Sequence, residues 1–137
     1  MTINYTIEND GQLVVERFSG TIQIQPLVEH IDRLATHSGI ASGAVNVADF
    51  RSAEIADFNA DELELLVAAR TVSIRRNRIS KLALLINDVS GFELGNRYET
   101  LMRQAGVNVL VSSSMETICR FMALDVATIE AHLLRLG

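Results

Sequence analysis

Runs of β-branched and aromatic residues at Ile3–Glu8 and Leu13–Phe18 flank Asn9-Asp10-Gly11, a strong turn signal, so the pattern predicts a β-hairpin. Gln25-Pro26 opens a helix, because proline in the first turn lacks only an N–H that would have no partner there. Leu27, Ile31, Leu34 and Ala35 form its apolar stripe, and Ser38-Gly39 ends it. Ala44–Phe50 reads as a strand with Asp49 near its end. Asn59 and Glu62 have the spacing of a capping box, opening a helix that runs to about Arg76.

Leu82–Ile86 is an uninterrupted apolar run, the pattern of a strand buried on both faces. Ser90 with Glu93 predicts the cap of the next helix, whose stripe is Leu94, Tyr98, Leu101, Met102 and Ala105, with Gly106 closing it. Val107–Val111 is a second buried strand. Ser114 is expected to cap a helix through Leu124, and Asp125 a final one bearing Val126, Ile129, Leu133 and Leu136. Strands separated by helices need crossover connections, so the sheet is expected to be largely parallel, with the hairpin adding its antiparallel part. The expected fold is a mixed-sheet α/β sandwich with flanking helices, abbreviated ββαβαβαα, in one domain spanning residues 1–137.

Composition narrows the classes. The 137 residues are 48% hydrophobic and 21% charged, as in a compact protein with its own core. Twelve Lys+Arg against seventeen Asp+Glu leave a net charge of −5, which disfavours nucleic acid and anionic lipid surfaces as partners. Eleven of the basic residues are arginine, pointing to a GC-rich bacterial genome. The lone Cys119 admits no intramolecular disulfide or thiolate zinc site, and its apolar helix neighbours mark it as a core filler. The N-terminus has no signal-peptide pattern and no run is long enough to cross a bilayer, so the expected compartment is the cytoplasm.

No motif announces a reaction. His30, His37 and His132 have no metal-ligand spacing, no Gly-x-Ser-x-Gly elbow occurs, and the reading is of no cofactor and no enzyme. Ligands of open α/β sheets lie beyond the carboxyl ends of the strands. Asn87, Ser90, Gly91, Ser112, Ser113 and Ser114 fall there and form a candidate anion or ligand site, although capping and turn roles, with no Gly-rich phosphate loop beside them, are the simpler explanation. Arg70, Arg75, Arg76, Arg78 and Lys81 follow the acidic start of their helix, an order the helix dipole favours. Arg70 interrupts the stripe of Leu63, Leu66, Val67 and Ile74, and is expected to snorkel outward. Leu65, Ala68, Ala69 and Val72 make a second apolar face on that helix, which suggests a homodimer.

The segments Leu13–Gly20, Ala44–Phe50, Leu82–Asn87 followed by Gly95–Glu99, and Gly106–Val111 resemble the small bacterial SpoIIAA-like domains, relatives of the STAS domain of anti-sigma-factor antagonists. The resemblance covers nearly the whole chain. It implies a non-enzymatic, regulatory module that docks an unidentified protein partner through Asp49, Phe50, Arg51, Ser52, Asp57 and Phe58, with the two aromatics as anchors. Such proteins can be switched by phosphorylation at an Asp-Ser step, but here Asp57 precedes Phe58, so that switch is expected to be missing. The alternative is a carrier of a small lipid or nucleotide ligand, since the resemblance extends to Sec14-type lipid-binding folds.

Overall fold

A computed structural model describes residues 1–55 and 57–137. Strands β1 (Thr2–Glu8) and β2 (Leu13–Ile22) form the hairpin, and helix α1 (Ile24–Ala35) crosses to β3 (Val45–Ile55). Helix α2 (Ala60–Asn77) leads to β4 (Lys81–Leu85), and α3 (Val89–Gln104) to β5 (Val109–Ser112). Helices α4 (Met115–Met122) and α5 (Val126–Leu136) finish the chain. The order ββαβαβαβαα matches the segments read from the sequence and has one βα unit more than their abbreviated formula.

The five strands lie in sequence order in one sheet, with β1 antiparallel to β2 and the remaining neighbours parallel. All three crossover helices cover one face: Leu27 and Ile31 of α1, Leu63 and Leu66 of α2, and Leu94 and Met102 of α3 share a core with Phe18, Ala48 and Leu84. Helices α4 and α5 cover the other, packing Ile118, Cys119, Met122, Ile129 and Leu133 on Leu13, Val15, Val47 and Leu85. Strand order never reverses among the parallel strands, so the described residues form no switch-point crevice of the kind that binds ligands in doubly wound folds.

Local chemistry explains the element ends. Asn9, Asp10 and Gly11 all take positive φ, and a Cβ at Gly11 would lie 2.4 Å from the Gly39 carbonyl, so the turn packs directly on the α1–β3 connection. Asn59 and Glu62 form the expected capping box, and Ser114 and Asp125 cap α4 and α5. Helix α3 is capped by Asp88, which accepts from the Gly91 N–H, two residues ahead of the cap expected at Ser90. Asp88 suits the role because its carboxylate also complements the helix dipole.

Strand β3 continues five residues beyond Phe50 because β2 continues beside it, Ser19–Ile22 pairing with Ser52–Ile55. Between these stretches the register shifts, leaving Phe50 and Arg51 opposite Phe18 alone, a β-bulge. The Arg51 N–H is taken by the Asp49 carboxylate at 2.9 Å. Most of the segment expected as a docking loop is therefore strand.

Candidate functional site

Alternation along β2 sends Val14, Glu16 and Phe18 toward the crossover helices, and alternation along β3 does the same with Asn46, Ala48 and Phe50. Glu16 thus enters the core, fully buried. Its Oε2 lies 2.6 Å from His30 Nε2 of α1, and its Oε1 accepts from Asn46 Nδ2 at 2.7 Å. Arg70 of α2 completes the group, with Nη2 3.6 Å from Glu16 Oε1 and Nη1 donating to Asn46 Oδ1 at 3.4 Å. Tyr98 of α3 lies beside the Arg70 guanidinium.

Burial alone would push the Glu16 carboxyl up, but the Arg70 charge and the hydrogen bonds from His30 and Asn46 outweigh it and hold the carboxyl at about 2. An ionised carboxylate only accepts, so the proton of the His30–Glu16 contact sits on Nε2. Burial lowers Arg70 and the facing Glu16 charge raises it, the balance keeping it charged. Burial pushes the Tyr98 phenol up to about 12 against the opposing pull of Arg70. Arg70 does not snorkel: it is only 5% exposed because Glu16 meets it inside, which makes burial of the pair affordable.

Next to this cluster lies a cavity of about 50 Å3 between the sheet and the three crossover helices. Its wall is apolar, with Ile31, Phe50, Leu66, Leu84 and Leu94 among its residues, except for Arg70 and Tyr98. Arg70 Nε is buried and finds no acceptor among the described residues.

The residues singled out from sequence separate into three places. Phe50 and Phe58 point into the core, 7% and 6% exposed, with Phe50 stacked on Phe18 at 4.2 Å; they are packing residues, not aromatic anchors on a polar loop. Asp49 is fully buried beneath α5, where Arg51 grips it through Nε at 3.0 Å and Nη2 at 3.1 Å. The hydrogen bonds that Arg51 donates to Asp49, joined by those to Glu130, raise its guanidinium pKa further despite burial. Ser52 is exposed and lies 3.5 Å from Arg17 Nη2.

The carboxyl ends of the strands hold the rest. Asp57 and Ser90 share a cleft with Glu93 and Arg97, while Asn87 and Ser113 share another with Asp88, Val89 and Phe92. Gly91 is buried against Ile55 and Ile86, its hydrogen standing where a Cβ would meet Asp88 Oδ1 at 2.4 Å. Ser112 Oγ accepts from Ser114 N, and Ser114 Oγ from Thr117 N, so both are committed to the turn and cap. The outer stripe of α2 is exposed, Leu65 at 50% and Val72 at 51%. Cys119 is buried, which raises its thiol pKa, as do the charges of Asp125 and Glu130.

The interior cluster was overlooked in the sequence, yet left two traces. Glu16 stands at an inward position of one apolar strand and Arg70 in the inward stripe of one helix, opposite charges in two faces that both need burial. His30, Asn46 and Tyr98 carry no such mark.

A mixed five-stranded sheet with its crossover helices gathered on one face defines a STAS-type α/β fold. The chain is similar to the solved structure of the anti-sigma factor antagonist SpoIIAA in its unphosphorylated form, with a TM-score of 0.52 and 13% identity, covering 90% of this chain and 100% of that one. The fold is therefore SpoIIAA-like, as the sequence resemblance implied. No family model matches the chain, and no curated protein matches it. No helix among the described residues is long and apolar enough to cross a membrane.

Proposed function

We propose that this chain is a regulatory, non-enzymatic protein-interaction domain that docks its partner through the rim at the carboxyl ends of the parallel strands. The reading rests on one observation: that rim, on a SpoIIAA-like scaffold, gathers exposed residues of both charge signs and an exposed apolar one. Asp57, Ser90, Glu93 and Arg97 supply the polar part, and Val89, 79% exposed at the start of α3 and lining the neighbouring cleft that shares Glu93, supplies apolar area. The solved structure it resembles is named an anti-sigma factor antagonist, a role exercised on another protein. Asp57-Phe58 stands in place of an Asp-Ser step, and Phe58 is buried, so docking here works without that phosphoswitch.

Affinity capture from the source cell's extract tests this with three baits: the natural chain, V89D/R97E, and R76E at the opposite end of α2. The expected result is a protein held by the first and third baits and lost from the second, all three melting alike. Retained proteins indifferent to V89D/R97E would overturn the reading. A second copy is the other candidate partner, through the exposed Leu65, Ala68 and Val72 stripe, and sedimentation at high micromolar concentration would reveal it as a dimer.

A further inference from the structure

We infer that the cavity between the sheet and α1–α3 is a binding site for a small apolar molecule carrying one uncharged oxygen acceptor, a ketone or ester carbonyl, read by Arg70. This goes beyond the docking reading and does not depend on it. Three observations converge. The wall is otherwise aliphatic and aromatic, so the body of the ligand is hydrocarbon. Arg70 lines it and is buried, with a donor, Nε–H, that no described residue satisfies. A buried donor without a partner is costly, and an oxygen brought by a ligand would relieve it.

The charge state of the cluster selects among acceptors. Arg70 already faces the ionised Glu16, so the pair is neutral as a unit. A ligand carboxylate would be a second anion in a buried, mostly apolar site with one cation, and burying it would demand a compensating charge. A carbonyl needs none. Size sets a further limit: about 50 Å3 suits a body of a few carbons, well short of a long acyl chain. Ile55 and Leu94 belong both to this wall and to the cleft of Asp57, Ser90 and Arg97, placing the cavity directly beneath the rim.

Acetone, propane and acetate, each of only three or four heavy atoms and differing in the polar group, test the inference by methyl NMR titration of the isoleucine and leucine resonances. Ketone and alkane are expected to shift the methyls of Ile31, Ile86 and Leu94, and the carboxylate not to. The ketone, unlike the alkane, is expected to move the Arg70 Nε–H resonance of the natural chain, which needs no variant. In E16Q/R70M, which removes both charges together, the ketone-to-alkane affinity ratio is expected to fall about tenfold, the worth of one hydrogen bond to a charged donor. Methyl shifts with none of the three, tightest binding by the carboxylate, or an Arg70 Nε–H resonance unmoved by the ketone would each overturn it.

Discussion

The two faces of the sheet solve the same packing problem with different chemistry. Under α4 and α5 the contacts are Ile118, Cys119, Met122, Ile129 and Leu133 on Leu13, Val15, Val47 and Leu85, and the buried Asp49 of the central strand β3 is paired with its neighbour Arg51. Under α1–α3 the same sheet accepts Glu16, His30, Asn46 and Arg70 inside the core and leaves a cavity beside them. Hydrophobic packing alone would have favoured the first solution twice. The α1–α3 face differs from the other in holding both partners of its ion pair, Glu16 and Arg70, inside the core beside a cavity, whereas Arg51, the partner of Asp49, reaches the surface.

Truncation should expose the difference most strongly. Ile118→Ala, at a site with no exposure in the close-packed face, is expected to cost about 4 kcal/mol in urea denaturation, near the top of the range for such changes. Leu94→Ala, beside an existing cavity, forfeits fewer contacts and is expected to cost about 2 kcal/mol. Equal costs would erase the distinction between a dense face and a hollow one.

Acid should act on the α1–α3 face through Glu16. The Glu16 carboxyl is lowered from 4.5 to about 2 in the folded chain, so the unfolded chain takes up its proton first as pH falls. Its contribution is complete above pH 4.5 and is lost between there and about pH 2, up to about 3 kcal/mol. Denaturation midpoints of the natural chain and Glu16→Gln, compared across that window, check it: the variant is expected to show the shallower decline. The smallest effect sharpens the comparison by its neutrality. Asn59→Ala removes the cap of α2 without touching either core, and is expected to cost about 1 kcal/mol with the Glu16 pH response unchanged.

The fold was readable where short-range rules govern it. The hairpin turn, the Asn59 box, the caps at Ser114 and Asp125 and the two buried strands all follow from local pattern. The extension of β3 to Ile55 was not readable, because it depends on β2 running alongside and on a bulge that no local pattern announces. Phe50 was misread for the same reason: in sequence it flanks polar residues, and only the pairing of β3 turns it inward, while Phe58, beyond that strand, packs into the same core just before α2. Arg70 was visible as an anomaly, but its partner lies 54 positions earlier on another element, and a charge in an apolar stripe does not name the charge it meets.

The most direct measurement is a double-mutant cycle on Glu16 and Arg70, with unfolding free energies for the natural chain, E16Q, R70M and E16Q/R70M. If the α1–α3 face is organised around this buried pair, Arg70→Met alone costs about 3–5 kcal/mol, while the double variant recovers most of that, a coupling above about 2 kcal/mol. Effects that add to within about 0.5 kcal/mol would contradict it, leaving two separately tolerated charges and no reason to regard this face as more than packing.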